Sequence, residues 1–599
     1  MNYTIKIGGE AGQGIQTVGD TLSKVFARTG YHVFTHQDYE SRARGGHNFY
    51  QIRFSDQPVT ASLDAVDILI AFDRESILLH EKEMSANGLI IYDSTALKES
   101  FAKPLFLDIP FALLATEHAG NKIMANSVAI GVVIGMISRT SASSANSRSS
   151  NVTASKILAP DALANMLLDK TSGIIHETFL SKGAAVIAAN ITAVAAGRLF
   201  ALEHYGEHAF SPVPQSQGKM LISGTEAIGI GALASVCRFY AAYPMTPSTG
   251  IMNYLAGKEE EQGIIVEQAE DEISAINMAI GASFAGVRAM TGTSGGGFAL
   301  MVEGLSLAGM TETPVVIALG QRPGPATGLP THTEQGDLLF ALYAGHGEFP
   351  RILFAPGDPE QAVHLTIKAF DLAEKYQIPA IILFDQYLAD TCWTYDSIDL
   401  EKRSYTDYRL RGDAFKSLSE YKRHLLTDNG ISPLGIPGET SHLVVTDSDE
   451  HDEDGHMIED AAGRIAMVEK RLLRKMPLIR KEMAPPALFG PSDADIVIAG
   501  WGSTYGIMRD AVATLLADRK IAILHFSELY PFPSTELFDY LALLNNAKQT
   551  ICVEQNATGQ FARLLRAETG HKFSDSIHRY DGRPFTSESL TGELIAKIR

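Results

Sequence analysis

Short β-branched runs alternate with helix-length amphipathic runs along nearly the whole of this sequence. YTIKI (3–7), ILIAF (68–72), VVIAL (315–319) and DIVIAGW (495–501) are examples of the first kind. A strand buried on both faces reads as a near-continuous apolar run, while a helix packed on a sheet keeps one apolar stripe. The rhythm therefore predicts an α/β fold built on parallel sheets. With 599 residues, at about 150 per domain, the chain must divide its apolar residues among several cores.

The rhythm breaks in three places. Further strands are expected at 32–36, 49–54 and 89–93, with a helix from about Ile15 to Thr29. The Ser- and Asn-rich stretch 138–155 lacks periodicity and reads as a surface loop. A polar, proline-containing break at 208–218 marks a boundary. Strands resume at 239–243, 264–268, 287–292, 351–355 and 380–384. A charge-rich stretch follows at about 396–490, then strands at 521–526 and 550–555. These breaks predict four segments: 1–205, 219–395, a connector at 396–490, and 491–599.

Composition excludes some functions. Fifty basic against seventy acidic residues leave a net charge of −20, the wrong sign for a nucleic-acid partner. Three scattered cysteines, Cys237, Cys392 and Cys552, are too few for a disulfide framework or a four-thiolate iron–sulfur site. A reducing cytoplasmic compartment fits this usage. No basic start followed by an apolar stretch opens the chain, so no signal peptide is expected. The apolar segments 127–137 and 183–197, the second interrupted by Asn190 and Thr192, read as buried core helices, so no membrane span is expected.

Several turns carry chemistry. GGEAGQGI (8–15) joins a strand to a helix, where glycines let backbone N–H groups approach an anion. It reads equally as a tight packing turn: Gly9, Gly12 and Gly14 do not follow the GxGxxG order, and no GxxxxGK[ST] loop occurs. Arg42 and Arg44, before Gly45 and Gly46, could grip an anion or pair with Asp38 and Glu40. In AAYPMTPST (241–249), Pro244 and Pro247 stiffen a turn that presents the Thr246 hydroxyl where a parallel sheet binds ligands. Ser248 and Thr249 are natural helix caps there. Glu267, Glu270, Asp271 and Glu272 open a helix, and most serve its dipole. Glycine turns recur at TGTSGGGFAL (291–300) and at GQRPGPATG (320–328), where Arg322 is placed to fork onto a carboxylate. SDEHDEDGHMIED (448–460), with His451 and His456, lacks calcium-loop spacing and reads as a solvated acidic loop.

In these motifs the sequence resembles the α subunits of 2-oxoacid:ferredoxin oxidoreductases with a γ domain fused in front, above all those of the 2-oxoglutarate type. GGEAGQG and RARGG are similar to γ-domain turns. YPMTPST, AEDEISAINMAIGASFAG, TSGGG and QRPGPATGLPT are similar to the pyrimidine-side domain of thiamine-diphosphate enzymes. EHDEDGH, AGWGST (499–504) and VEQNATGQ (553–560) are similar to later α-subunit segments, the last two lying in a transketolase C-terminal-like domain.

The resemblance implies a chain that shares thiamine diphosphate with a β subunit. That subunit would carry Mg2+, the diphosphate clamp and a 4Fe-4S cluster; this chain has no GDG followed about 30 residues on by Asn-Asn. Coenzyme A would be the co-substrate, ferredoxin the electron partner, and a dimer of αβ heterodimers the assembly. Carried over, Glu270 would hold the aminopyrimidine ring, with Glu267 as the fallback. Thr246 and Arg322 would grip the 2-oxoacid, and Tyr243, Pro244, Thr293, Ser294 and Gly295 would line the cofactor. No metal site is implied on this chain itself. The chemistry would be oxidative decarboxylation of 2-oxoglutarate, or of pyruvate or a branched-chain 2-oxoacid. A non-catalytic nucleotide-binding or assembly subunit, resting on GGEAGQG alone, is the alternative of another class.

Overall fold

The computed structural model describes all residues except 41–44, 138–159, 206–209, 211–214, 216, 401–404, 516–518 and 599. Arg42, Arg44, most of the 138–155 stretch and part of the 208–218 break lie outside the described residues. The chain folds as two units, Met1–Ile222 with Thr391–Ile398, and Ser223–Asp390 with Asp399–Arg599.

The first unit opens with β1 (Asn2–Glu10), β2 (His32–Asp38), β3 (His47–Ser55), β4 (Val66–Ala71), β5 (Met84–Tyr92) and β6 (Phe106–Asp108), and closes with β7 (Met220–Ser223). The second begins with β8 (Phe239–Ala242), β9 (Ile265–Gln268), β10 (Ala289–Ser294), β11 (Val315–Gln321), β12 (Ile352–Phe354) and β13 (Pro379–Asp385). The chain then returns: β14 (Cys392–Tyr395) pairs with β2, so the first sheet runs β6-β5-β4-β1-β3-β2-β14-β7. The boundary expected at 395 thus falls too late, because 391–398 belongs to the first unit.

That sheet is mixed rather than parallel. β1, β4, β5 and β6 run parallel, but β3 is antiparallel to both β1 and β2. The connection from β2 to β3 is too short for the crossover of about a dozen residues that a parallel pair needs. The helix Ile15–Arg28 lays Val18, Leu22, Val25 and Phe26 on the sheet. Two apolar helices, Ala125–Ile137 and Ala184–His204, meet through glycines. A Cβ at Gly131 would lie 2.0 Å from the Val194 carbonyl oxygen, and one at Gly197 would lie 2.1 Å from that of Val128. Ala184–His204 is long and apolar enough to cross a membrane by length and composition, yet it buries only the face carrying Ile187, Asn190, Ala193, Val194, Gly197 and Ala201. It is a partly buried helix, not the core helix expected.

Close packing also accounts for the first glycine turn. A Cβ at Gly14, which sits at φ 78°, would lie 1.9 Å from Asn126 Nδ2, and one at Gly9 would lie 2.4 Å from Gln13 Oε1. Gln13 Oε1 in turn accepts the Glu10 N–H.

In the second unit the sheet order is β20-β12-β13-β11-β10-β8-β9, parallel throughout except for β20 (Glu528–Tyr530). A two-strand ladder, β15 (Arg409–Leu410) with β16 (Leu434–Gly435), precedes a last sheet. That sheet is formed by β17 (Ala487–Phe489), β18 (Ile496–Trp501), β19 (Ile521–Phe526), β21 (Gln549–Glu554) and β22 (Asp575–His578), in the order β17-β19-β18-β21-β22. One apolar core joins the two sheets: Ile317, Leu353 and Ile381 belong to the same cluster as Val497, Trp501, Phe526 and Phe561.

The charge-rich connector is not all solvated. Lys470 Nζ donates to Glu312 Oε1 at 2.5 Å, and Lys475 Nζ pairs with Oε2 of the same carboxylate, all three groups being essentially unexposed. Burial alone would raise the Glu312 pKa, but these two charges hold it well below the carboxylate range. Glu450, on the loop expected to be solvated, is clamped by Arg464 and Arg471. His451 is fully buried.

Candidate active site

In the seven-stranded sheet, β11, β10, β8 and β9 are consecutive parallel neighbours, so the segments that follow them leave at one edge. β8 leads into Tyr243–Pro247, β9 into Ala269–Glu272, β10 into Gly295–Gly297 and β11 into Arg322–Pro323. A ligand crevice belongs at the carboxyl ends of such strands. Each of the four segments carries a residue expected to be catalytic or cofactor-lining.

Contacts tie these segments together. Arg322 Nη1 donates to the Thr246 carbonyl oxygen at 2.8 Å, which joins the two residues expected to grip a 2-oxoacid. Burial holds Arg322 below its ordinary range. Pro247 packs on Gly320, where a Cβ would lie 2.8 Å from Pro247 Cγ. Ser248 does not cap the helix Thr249–Ala256; its hydroxyl donates back to the Met245 carbonyl oxygen at 2.8 Å and closes the turn around Thr246. Thr293 and Ser294 are fully buried, whereas Tyr243 is exposed.

The acidic run separates by role. Asp271 caps the helix Glu272–Phe284 by accepting the Ser274 N–H at 2.7 Å. Glu267 and Glu270 precede that cap and are exposed. Glu272 is only 4% exposed, and its Oε1 has no hydrogen-bond partner among the described residues. A Cβ at Gly297 would lie 2.5 Å from that oxygen and 2.1 Å from Thr293 Oγ1. Glu272 therefore lies beneath the glycine turn, against the end of β10. The sequence held a signal for it. Glu272 begins the stripe continued by Ala275, Ile276, Ala279, Ile280 and Ser283, the buried face of the helix.

Other polar groups here also lack partners among the described residues. Ser294 Oγ, Thr291 Oγ1 and Tyr240 Oη are buried and unbonded. An unsatisfied buried polar atom costs about 1–3 kcal/mol. Glu272 Oε1 and Ser294 Oγ, at the carboxyl end of β10, are the two whose hydrogen bonds a polar ligand in the crevice could complete. An aromatic ring bearing nitrogen donors and acceptors suits a lone carboxyl oxygen such as Glu272 Oε1.

Elsewhere, Glu312, His424 and His451 bring three ligand-type atoms within 4.8 Å of one another. Both Glu312 oxygens already face lysine ammonium groups, so a cation would meet two like charges there. The geometry suits an ion-pair core.

Two family profiles match the chain. One, described as pyruvate flavodoxin/ferredoxin oxidoreductase, thiamine-diphosphate-binding, covers residues 230–470. The other, pyruvate ferredoxin/flavodoxin oxidoreductase, covers residues 4–200. The 2-oxoacid:ferredoxin oxidoreductase subunit alpha of a Sulfolobus species is 32% identical over 643 aligned positions, covering 100% of this chain and 97% of the relative. The chain belongs to the 2-oxoacid:ferredoxin oxidoreductase α-subunit family.

A more distant member of that family, the 2-oxoglutarate oxidoreductase subunit KorA of Mycobacterium tuberculosis, is 27% identical, covering 95% of this chain and 87% of the relative. Among solved structures, the 2-oxoglutarate:ferredoxin oxidoreductase from Magnetococcus marinus with 2-oxoglutarate, coenzyme A and succinyl-CoA bound matches at 30% identity and a TM-score of 0.86. That match covers both chains fully. Membership accounts for the fold: the profile at residues 4–200 spans β1 to β6 of the first sheet, and the thiamine-diphosphate-binding profile contains β8 to β13.

Proposed function

We propose that this α subunit forms half of a thiamine-diphosphate site and, with a β subunit, oxidises 2-oxoglutarate to succinyl-CoA and carbon dioxide with reduction of ferredoxin, or runs the reverse. The observation that carries this reading is the buried, unpartnered Glu272 Oε1 at the edge where Arg322 and Thr246 meet. When bound, thiamine diphosphate supplies the electron sink for loss of carbon dioxide from a 2-oxoacid. Glu272, in place of the exposed Glu270, would hold the aminopyrimidine ring, with its unpartnered Oε1 as the atom that would carry a proton toward the ring. Thr293, Ser294 and Gly295 form the floor, with Tyr243 and Pro244 at the rim. Arg322 forks onto the 1-carboxylate of the substrate, and the turn that carries Thr246 keeps the guanidinium aimed.

The β subunit supplies Mg2+, the diphosphate clamp and the 4Fe-4S cluster. Cys237, Cys392 and Cys552 form no disulfide, and Cys237 and Cys552 are buried. Burial pushes the Cys237 thiol up to about 12, far from thiolate ligand chemistry. The assembly is a cytoplasmic dimer of αβ heterodimers. The choice of 2-oxoglutarate is supported by the relatives and the solved structure named for it. Action on a different 2-oxoacid is the second reading, favoured by relatives described only as 2-oxoacid enzymes. A substrate panel on the assembled enzyme decides: 2-oxoglutarate is expected to have the highest kcat/KM, and a preference for pyruvate would overturn that choice.

Two variants test the site. Arg322→Ala is expected to raise the KM for the 2-oxoacid by about 10- to 100-fold, the equivalent of a charge-assisted hydrogen bond of about 1.5–3 kcal/mol. An unchanged KM would remove Arg322 from the substrate grip. Gly297→Ala forces a methyl group against Glu272 and Thr293. It is expected to lower kcat by about 10²-fold through misplacement of the carboxyl. Wild-type turnover in that variant would mean the turn tolerates the shift.

A further inference from the structure

Arg322 shares its edge of the sheet with two acids. Asp337 donates its backbone N–H to Gln321 Oε1 at 3.0 Å, so it is anchored to the residue beside Arg322. Its carboxylate lies against the glycine turn: a Cβ at Gly295 would be 2.7 Å from Asp337 Oδ2. No described side chain pairs with those oxygens at hydrogen-bond distance, although the Arg322 charge acts on them. Burial pushes the Asp337 carboxyl up to about 6, against the pull of Arg322. Burial, then the Asp337 charge, pushes Glu334 up to about 7.

The charged groups facing Asp337 are few. Arg322 comes from the end of β11 and Glu334 from Asp337's own loop. The helix Gly295–Met310 presents only its uncharged glycines, with Glu272 lying behind Gly297. The helix Gln560–Thr569 presents the neutral Gln560, which donates to the Gly336 carbonyl oxygen. Arg322 makes no ion pair with Asp337 among the described residues; the Asp337 loop is instead anchored through Gln321, next to Arg322, and the guanidinium charge acts on the Asp337 carboxylate across that gap.

Resting on the proposed function, we infer that Asp337 is a positioning residue whose carboxylate balances Arg322 in the free enzyme and takes up one proton from solvent when an anionic 2-oxoacid docks on Arg322. The proton goes to an Asp337 oxygen, and no other bond changes. Two carboxylates sharing one guanidinium raise each other's pKa, as like charges do. The bound-state pKa of Asp337 thus exceeds its free-state value. Affinity is full below the free-state pKa and falls as pH rises through the bound-state pKa.

The test is the pH dependence of KM for 2-oxoglutarate, measured on the assembled αβ enzyme from about pH 6 to about pH 9. Wild-type KM is expected to rise about tenfold over this range, with D337N low and flat. D337E, which keeps a titrating carboxyl, should retain a rise with a displaced midpoint and guards against a fold defect in D337N. E334Q should keep the wild-type rise. The inference is overturned if wild-type KM is flat, if D337N keeps the wild-type slope, or if E334Q alone abolishes it. If no version oxidises any 2-oxoacid, the functional reading itself falls, which the slopes distinguish from failure of the Asp337 assignment.

Discussion

Glu272→Gln in the assembled enzyme is expected to lower kcat by about 10²- to 10⁴-fold, the span typical of a lost proton-holding group. The side chain keeps its shape, so packing of the helix Glu272–Phe284 on β10 should survive. Thermal stability should change little, because the amide occupies the same volume at the same buried position. Glu270 precedes the Asp271 cap and is open to solvent, so Glu270→Gln is expected to leave kcat near wild type. Steady-state kinetics on the two variants side by side separates the assignments. If Glu270→Gln is the inactive one, the ring-holding role returns to Glu270.

The second large effect is on stability. Glu312→Gln should cost about 3–5 kcal/mol, because Lys470 and Lys475 would remain buried with no carboxylate to face. Fully buried Arg423 adds a further positive charge; it donates to the Glu312 carbonyl oxygen at 2.7 Å and to Gln377 Oε1 at 2.7 Å. Hydrogen exchange would report the loss as faster opening around 312, 424 and 470–475. Breaking the exposed pair Lys520–Asp493 should give no measurable change. The Glu312 carboxylate sits well below its unfolded pKa. Its stabilisation is therefore fully present above the ordinary carboxylate range and is lost as pH falls below that range through the depressed folded pKa. Equal exchange in wild type and Glu312→Gln would show that the pairing is energetically idle.

Much of this fold is legible from the residues alone. The strand of every β-branched run is present, most of them because apolar runs of that length bury both faces in a sheet; β9, at the sheet edge, is largely exposed. Parallelism is legible in the second unit, where helices separate the strands. It is not legible in the first, where the short β2–β3 connection forces an antiparallel pair. The return of 391–398 to the first unit is hidden, since CWTY reads the same in either sheet. Thr246 and Arg322 stand out because stiff turns at strand ends advertise themselves. Glu270 and Glu272 are hard to tell apart because both lie in one acidic run. Asp271 as the cap and the apolar stripe behind Glu272 separate them. Asp337 and Glu334 carry no local signal: their raised pKa values come from tertiary burial, which no short-range pattern records.

A chain that brings only part of a reaction site should be inert by itself. The direct measurement is ferredoxin reduction dependent on both a 2-oxoacid and coenzyme A, assayed with this chain alone, with its β subunit alone, and with the two combined. Turnover is expected only in the combination; turnover by the single chain would refute the shared site.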